Sequence, residues 1–303
     1  MFHHFHDDML HERGQGSISK NDFKKIIIYL NKKYNILNPT EFINKLSTNK
    51  LSSNDIALTF DDALRCQYDI AIPALEEFSI KGFFFVYTNA FKKTPDPLEF
   101  YRDIRNNYFE DIEEFYSVFF RICINKFPEI EKIFEERYSN NFLHEYPHYT
   151  YNDRKFRFLR DRLLKESDYH LLMDNIINDI NYSKNSRRNI LFMNINHLRD
   201  IKALGHNIGM HSSSHPTNMD ELDKDKQFNE YKENYEFIEK NFGDKPNAMS
   251  HPLGRYTDET LKILNNMNIK IGFRSNLNND YPRSKLEVPR EDHINVLKLA
   301  KEK

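Results

Sequence analysis

The chain has 303 residues, enough for one large core or two smaller ones, and a single domain is the expectation because barrel folds often use this span. Its 44 basic and 46 acidic side chains leave a net charge of -2, which gives no footing to a polyanionic partner, so nucleic acid is not expected. Two cysteines, Cys66 and Cys123, cannot build a disulfide framework, the first residues lack the apolar core of a secretory signal, and the longest apolar runs, 82–87 and 26–30, fall far below the ~20 residues of a membrane span; a reducing, cytoplasmic setting is the expectation.

In chain order, MFHHF at the start reads as a short strand, followed by a polar loop. Ser19-Lys-Asn-Asp22 resembles a capping box, and Phe23, Ile26, Ile27 and Leu30 recur at helical spacing, so a helix is predicted to about Lys33. A second short helix is predicted at 41–46, started by Pro39 and Thr40. Between 54 and 62 the run Ile-Ala-Leu-Thr-Phe reads as a buried strand that stops at two acids. A helix over 68–78, a break at Lys81-Gly82 and a strand over 83–87 complete a strand, helix, strand unit of the kind that builds parallel sheets.

From about residue 95 to 202 the chain turns to charged, Phe- and Tyr-rich segments with helical periodicity, such as 112–127 and 156–164, which predicts a helical insertion over 96–200. Sheet signals return at 207–210, 247–249 and 269–273, separated by helical stretches at 225–241 and 258–266. The expected architecture is an α/β barrel interrupted by a helical subdomain, with no internal repeat.

Three segments carry chemistry. Thr59-Phe60-Asp61-Asp62 ends an apolar strand with adjacent carboxylates, which repel each other unless a cation or proton intervenes. A bound metal does this: one Asp ligates the ion while its neighbour faces the ion's water. His211-Ser-Ser-Ser-His215 follows the apolar stretch 207–210, and Pro216 disfavours a helix at His215, so both imidazoles are expected on a strand-to-loop segment. Two His and one carboxylate leave coordination positions open, the condition for catalytic metal use, and accept zinc, cobalt, nickel or iron. In His251-Pro252-Leu253-Gly254 the Pro and Gly force a turn, and the N–H of Leu253 is the candidate oxyanion donor. For a proton donor, His3, His4 and His6 on the first strand and His293 near the other end are all open.

Together these residues resemble the polysaccharide deacetylase (NodB-homology) family of carbohydrate esterases, whose T-F-D-D and H-[ST]-x-x-H motifs are matched by 59–62 and 211–215. The resemblance implies a distorted parallel (β/α) barrel with one divalent metal, zinc foremost, with Asp62, His211 and His215 as ligands and Asp61 as general base. The family's usual third motif, R-P-P-Y, is replaced here by Ser250-His-Pro-Leu253, so the arginine that steadies the base is absent from it, and Arg290 in Val288-Pro-Arg-Glu is the candidate substitute. The usual C-terminal L-x-x-H is also absent. Circularly permuted members begin with an apolar-Y-H strand and carry a third motif like P-Y-G; Phe2-His3 and Pro252-Leu253-Gly254 are similar, which makes His3 the preferred acid.

What the resemblance implies chemically is removal of an N-acyl group from an amino sugar in a glycan, a lipid-linked glycan or a nucleotide sugar. Asp61 deprotonates the metal's water, Leu253 N–H meets the oxyanion, and His3 protonates the departing nitrogen. Pro252 and Arg290 are the candidate substrate-binding residues. Two other readings use the same residues: a carbohydrate-binding protein that keeps the barrel without turnover, and an esterase acting on O-acyl groups. The helical insertion is expected to shape substrate access, with its tyrosine-rich stretch 146–151 packing in the core in preference to stacking on sugar rings.

Overall fold

The computed structural model describes residues 1–302 apart from 93, 94, 96, 145, 147, 148, 181 and 278–282. Its strands are short: β1 (Phe5–His6), β2 (Ile18–Ser19), β3 (Asn35–Ile36), β4 (Asp55–Ile56), β5 (Thr59–Phe60), β6 (Phe83–Val86), β7 (Asn207–Met210), β8 (Ala248–Ser250) and β9 (Ile271–Phe273). The last five form one parallel sheet in the order β5-β6-β7-β8-β9, with Phe83 to Val86 opposite Asn207 to Met210. Single-residue parallel bridges lengthen the row at both ends, Phe2 pairing with Phe60 and Val288 with Phe273. The sheet curls into an α/β half-barrel. β1 pairs with β2 and β3 with β4, also in parallel.

Alternation along these strands feeds two aromatic cores. On one face Phe60 stacks on Phe84 at 4.5 Å and on Phe2 at 5.2 Å, while Phe23 of α1 (Lys20–Lys33) meets Phe2 edge-on at 4.9 Å. On the other, Phe83, Phe85, Ala248, Ile271 and Phe273 pack against Leu37 and against Phe42 and Ile43 of α2 (Pro39–Ser47). Burying each of these rings stabilises the fold by roughly 1.5–3 kcal/mol. The sheet is close-packed at Gly209, where a Cβ would lie 2.6 Å from the Phe85 ring and 2.8 Å from the Ala248 carbonyl oxygen, so β7 fits between its neighbours only with glycine there.

Two elements differ from the pattern read in the sequence. The run 54–62 is not one strand, because its halves take different partners: Ile56 pairs with Ile36 and Phe60 with Phe84. The helix expected over 68–78 is a π-helical turn, Gln67–Ala71, leading into α3 (Ile72–Glu77). Pro73 has no N–H to continue the ordinary ladder, and before it the turn widens so that Ile72 N–H reaches the Gln67 carbonyl.

The chain gathers into two compact units, one of Met1–Asp96 with Ser186–Lys303, the other Pro97–Asn185. The second contains α4 (Leu98–Asn107), α5 (Ile112–Lys126), α6 (Ile130–Arg137), α7 (Tyr151–Phe158) and α8 (Glu166–Asp179), around a core of Phe115, Phe119, Phe156 and Tyr169. Of the tyrosine-rich stretch, Pro147 and His148 lie outside the described residues, and Tyr149 lies under the Arg157 guanidinium at 4.1 Å. The remaining helices are α9 (Lys184–Leu191), α10 (Ile195–Ala203), α11 (Lys224–Phe242), α12 (Asp258–Asn266) and α13 (His293–Lys301). Among the described residues no helix is long and apolar enough to cross a membrane.

Candidate active site

Each parallel strand delivers polar residues at its C-terminal end, the end where barrel enzymes place their chemistry. Phe2 leads to His3, β5 to Asp61 and Asp62, β7 to His211, β8 to Ser250 and His251, and the Val288 bridge to Arg290. All of them belong to the first unit.

Asp62, His211 and His215 converge. Asp62 Oδ1 lies 3.3 Å from His211 Nε2 and 3.5 Å from His215 Nε2, and one potential ligand atom from each residue lies within 4.8 Å of the others. His211 Nδ1 is 2.8 Å from the Ser250 carbonyl oxygen, to which it donates, so Nε2 keeps its lone pair facing Asp62. Asp62 Oδ1 is buried and accepts no hydrogen bond among the described residues. A buried, unpartnered carboxylate oxygen facing two imidazole nitrogens is costly unless a cation sits between them, so this donor set fits a divalent metal. Burial raises the Asp62 pKa, yet the neighbouring His211, His215 and His3 hold it well below the usual carboxylate range. Burial pushes His215 down to about 4, despite the opposing charge of Asp62, which leaves it neutral and able to ligate. For His211 burial also acts downward, but the two aspartates outweigh it and raise its pKa.

The loop carrying the two histidines is templated by α11. Glu230 Oε2 accepts the backbone N–H groups of Ser213 at 3.0 Å and Ser214 at 2.8 Å, its Oε1 accepts Ser214 Oγ at 2.7 Å, and Glu233 accepts Ser213 Oγ at 2.7 Å. One turn on, the buried Asn234 accepts from His211 N–H at 2.9 Å and donates to the Val86 carbonyl and Thr88 Oγ1, both at 3.0 Å, which fastens β7 to β6 at the site. The loop closes with left-handed backbone at Ser212 (φ 67°) and His215 (φ 56°); Asp62 (φ 79°) and Ala63 (φ 55°) do the same after β5.

Asp61 is 2% exposed and touches none of these nitrogens closely. Arg290 donates Nη1 to its Oδ1 and Nη2 to its Oδ2, both at 2.8 Å, and Ser250 Oγ donates to Oδ2 at 3.1 Å. Burial would raise the Asp61 pKa, but the Arg290 charge, reinforced by His211, holds it far below the ordinary value. His3 places Nε2 3.8 Å from Asp61 Oδ2 with its side chain 28% exposed. The rival histidines are placed differently: His6 Nδ1 bonds Ser17 Oγ at 2.8 Å, and His293 is buried with Nε2 on the Gly16 carbonyl at 2.8 Å. Leu253 occupies a left-handed position (φ 51°) in the turn Pro252–Gly254, with its side chain exposed and Pro252 buried.

Sequence reasoning missed Ser250, Glu230 and Asn234 as site residues. Ser250 had no signal beyond following an apolar stretch. Glu230 and Asn234 sit at i and i+4 on a helix facing the loop, which is a detectable spacing only once the loop is known to pack there.

A model of the polysaccharide deacetylase family matches residues 48–105 and 180–272, about half of the chain. The match contains the acidic motif 59–62, the imidazole motif 211–215 and the Pro252–Gly254 turn, while His3 and Arg290 fall outside it. No curated protein matches the chain in sequence. Among solved structures, IcaB from Ammonifex degensii is similar with a TM-score of 0.58 at 14% identity, covering 98% of this chain and 99% of that one. The Streptococcus pyogenes deacetylase PplD, solved in complex with acetate, has a TM-score of 0.53 at 17% identity, covering 98% and 94%. The de-N-acetylase from Aggregatibacter actinomycetemcomitans has a TM-score of 0.54 at 13% identity, covering 96% and 92%. These likenesses show the barrel fold, and the family match, with its motifs closing around one point, places the chain in the polysaccharide deacetylase family of carbohydrate deacetylases.

Proposed function

We propose that this chain is a metal-dependent hydrolase that removes an N-acyl group, acetyl foremost, from an amino sugar in a glycan or glycan precursor. The observation that carries the reading is a carboxylate, Asp61, held on both oxygens by Arg290 next to a three-residue set able to ligate a metal. A de-N-acetylase among the structural neighbours fits the same chemistry.

Asp62, His211 and His215 hold the cation, with zinc first and cobalt, nickel or iron as alternatives. When bound, such an ion supplies Lewis acidity toward water and the substrate carbonyl. Asp61 accepts the proton of the attacking water, and Arg290 and Ser250 fix both its oxygens so that it cannot swing into the ligand set. His3, partly open to solvent, gives a proton to the departing nitrogen. Leu253 N–H is assigned to the developing oxyanion and Pro252 to the substrate-facing wall. Arg290 acts on Asp61 in this scheme; its donors are all engaged by protein groups, so it positions the base and does not touch the sugar. We further assign residues 96–200 to an insertion within a single deacetylase-like domain.

The absence of the third-motif arginine favours a binding-only protein, and Arg290 against Asp61 weakens that reading. Acetate release from N-acetylglucosamine oligomers by the zinc-loaded protein, absent in Asp61→Asn, is the test. No release across a broad panel of acetylated amino sugars would overturn the reading, and faster release from O-acetyl than N-acetyl substrates would turn it into an esterase.

A further inference from the structure

A second cluster of ligand-type side chains lies beside the first. One potential ligand atom from each of His3, Asp292 and His293 lies within 4.8 Å of the others. His293 is 4% exposed, and its Nε2 is pinned on the Gly16 carbonyl at 2.8 Å. That bond fixes the tautomer with the proton on Nε2 and leaves Nδ1 as a lone pair. Nδ1 has no hydrogen bond among the described residues, and it faces Asp292 Oδ1 at 3.5 Å.

This repeats the arrangement at His211: one ring nitrogen on a backbone carbonyl at 2.8 Å, the other buried and turned toward a carboxylate oxygen at 3.3 Å. A carbonyl behind the imidazole is how metal-ligating histidines are commonly oriented. His3 and Asp292, with side chains 28% and 14% exposed, leave a way in from solvent. In a tetrahedral site neighbouring ligand atoms stand about 3.4 Å apart, so the cluster must tighten by about an ångström, which a turn of the partly exposed His3 supplies.

We propose that His3, Asp292 and His293 form a second, weaker site for a zinc-class divalent cation, and that its occupancy takes His3 out of the reaction. Two imidazoles and one carboxylate match the first set in kind. The second site is weaker because a cation held in the first set repels one bound here. Loss of turnover rests on the reading of His3 as proton donor, whereas the binding itself does not.

Equilibrium dialysis of the full chain against zinc chloride tests the binding. The natural sequence should hold two equivalents at saturation, and Asp292→Asn one, since asparagine keeps the N-cap of α13 but removes the anionic ligand. Crystals soaked in excess zinc chloride should show an anomalous peak among His3, Asp292 and His293, a readout that needs no variant. Turnover should rise over the first equivalent and fall at least tenfold over the second. One equivalent in both proteins with no anomalous peak at this cluster overturns the proposal. Asp62→Asn separates the two readings: if it still takes up its full complement of zinc, the first set fails as a metal site, and the second is judged by Asp292→Asn alone.

Discussion

Arg290 grips both oxygens of Asp61 across 229 residues of chain, and all of its donors are engaged: Nε on the Arg274 carbonyl, Nη1 on Thr59 Oγ1 and Asp61, Nη2 on Asp61 and Ser250 Oγ. With Arg290 4% and Asp61 2% exposed, the pair is out of water, so its worth lies in completeness. Removing either partner strands the other.

Arg290→Met should therefore cost about 3–5 kcal/mol of folding stability by leaving Asp61 buried without its counter-charge. Urea unfolding measures it. The double variant with Asp61→Asn should recover part of the loss, and strict additivity of the two single changes would show that the pair is not coupled.

Stability should also fall as pH drops from about 6.5 toward 4, because of His206. Burial holds this imidazole at about 4, and its Nδ1 accepts from Gly82 N–H at 3.0 Å. A group with a depressed folded-state pKa contributes stability above its unfolded value of ~6.5 and loses it as the pH approaches the folded one, with at most roughly 3 kcal/mol at stake. Urea midpoints at pH 7 and pH 5 should differ less in His206→Gln, whose amide oxygen can still accept from Gly82.

Chelation should abolish deacetylation, and one equivalent of zinc should restore it. Asp62→Asn should weaken zinc binding more than the ~10–100-fold typical of supporting residues, while Asp61→Asn should leave it within a few-fold and reduce turnover by about 100-fold or more. Competition with a fluorescent chelator gives the affinities. Equal loss of zinc in both variants would exchange the assigned roles.

Glu230→Ala should loosen the Ser213–Ser214 loop and cut zinc affinity by about 10–100-fold, although Glu230 reaches neither His211 nor His215 in the hydrogen bonds it makes. Glu230→Gln, whose amide oxygen can still accept both backbone N–H groups while its NH2 donates to Ser214 Oγ, should restore most of it. Unchanged zinc affinity in the alanine variant would mean that the loop holds its shape unaided.

The cluster of Asp61, Asp62, His211 and His215 was legible in the sequence because each motif is local: Asp61 and Asp62 end one strand, and His211 and His215 bracket one loop. The helices of clear periodicity were legible too, α11 being read as 225–241 and found at Lys224–Phe242. What escaped was set by sheet closure. Ser250 accepts from Arg290 and donates to Asp61 only because β8 and the Val288 bridge bring three distant segments to one rim. Asn234 looks like any polar residue of a charged helix until β7 packs beneath it. Strands of two residues, such as β2, β3 and β4, are shorter than any window in which alternation can be read.

Of nine non-glycine residues with left-handed backbone among those described, five line the rim: Asp62, Ala63, Ser212, His215 and Leu253. Each such residue stores about 1 kcal/mol of conformational strain that the surrounding packing must restrain. Under the proposed metal-dependent reading, heat tolerance and grip on a bound cation are thereby set against each other. Glycine at Ser212 should relax the turn and remove the hydroxyl that accepts His215 N–H at 3.0 Å, so a variant improved in one respect would be expected to surrender the other.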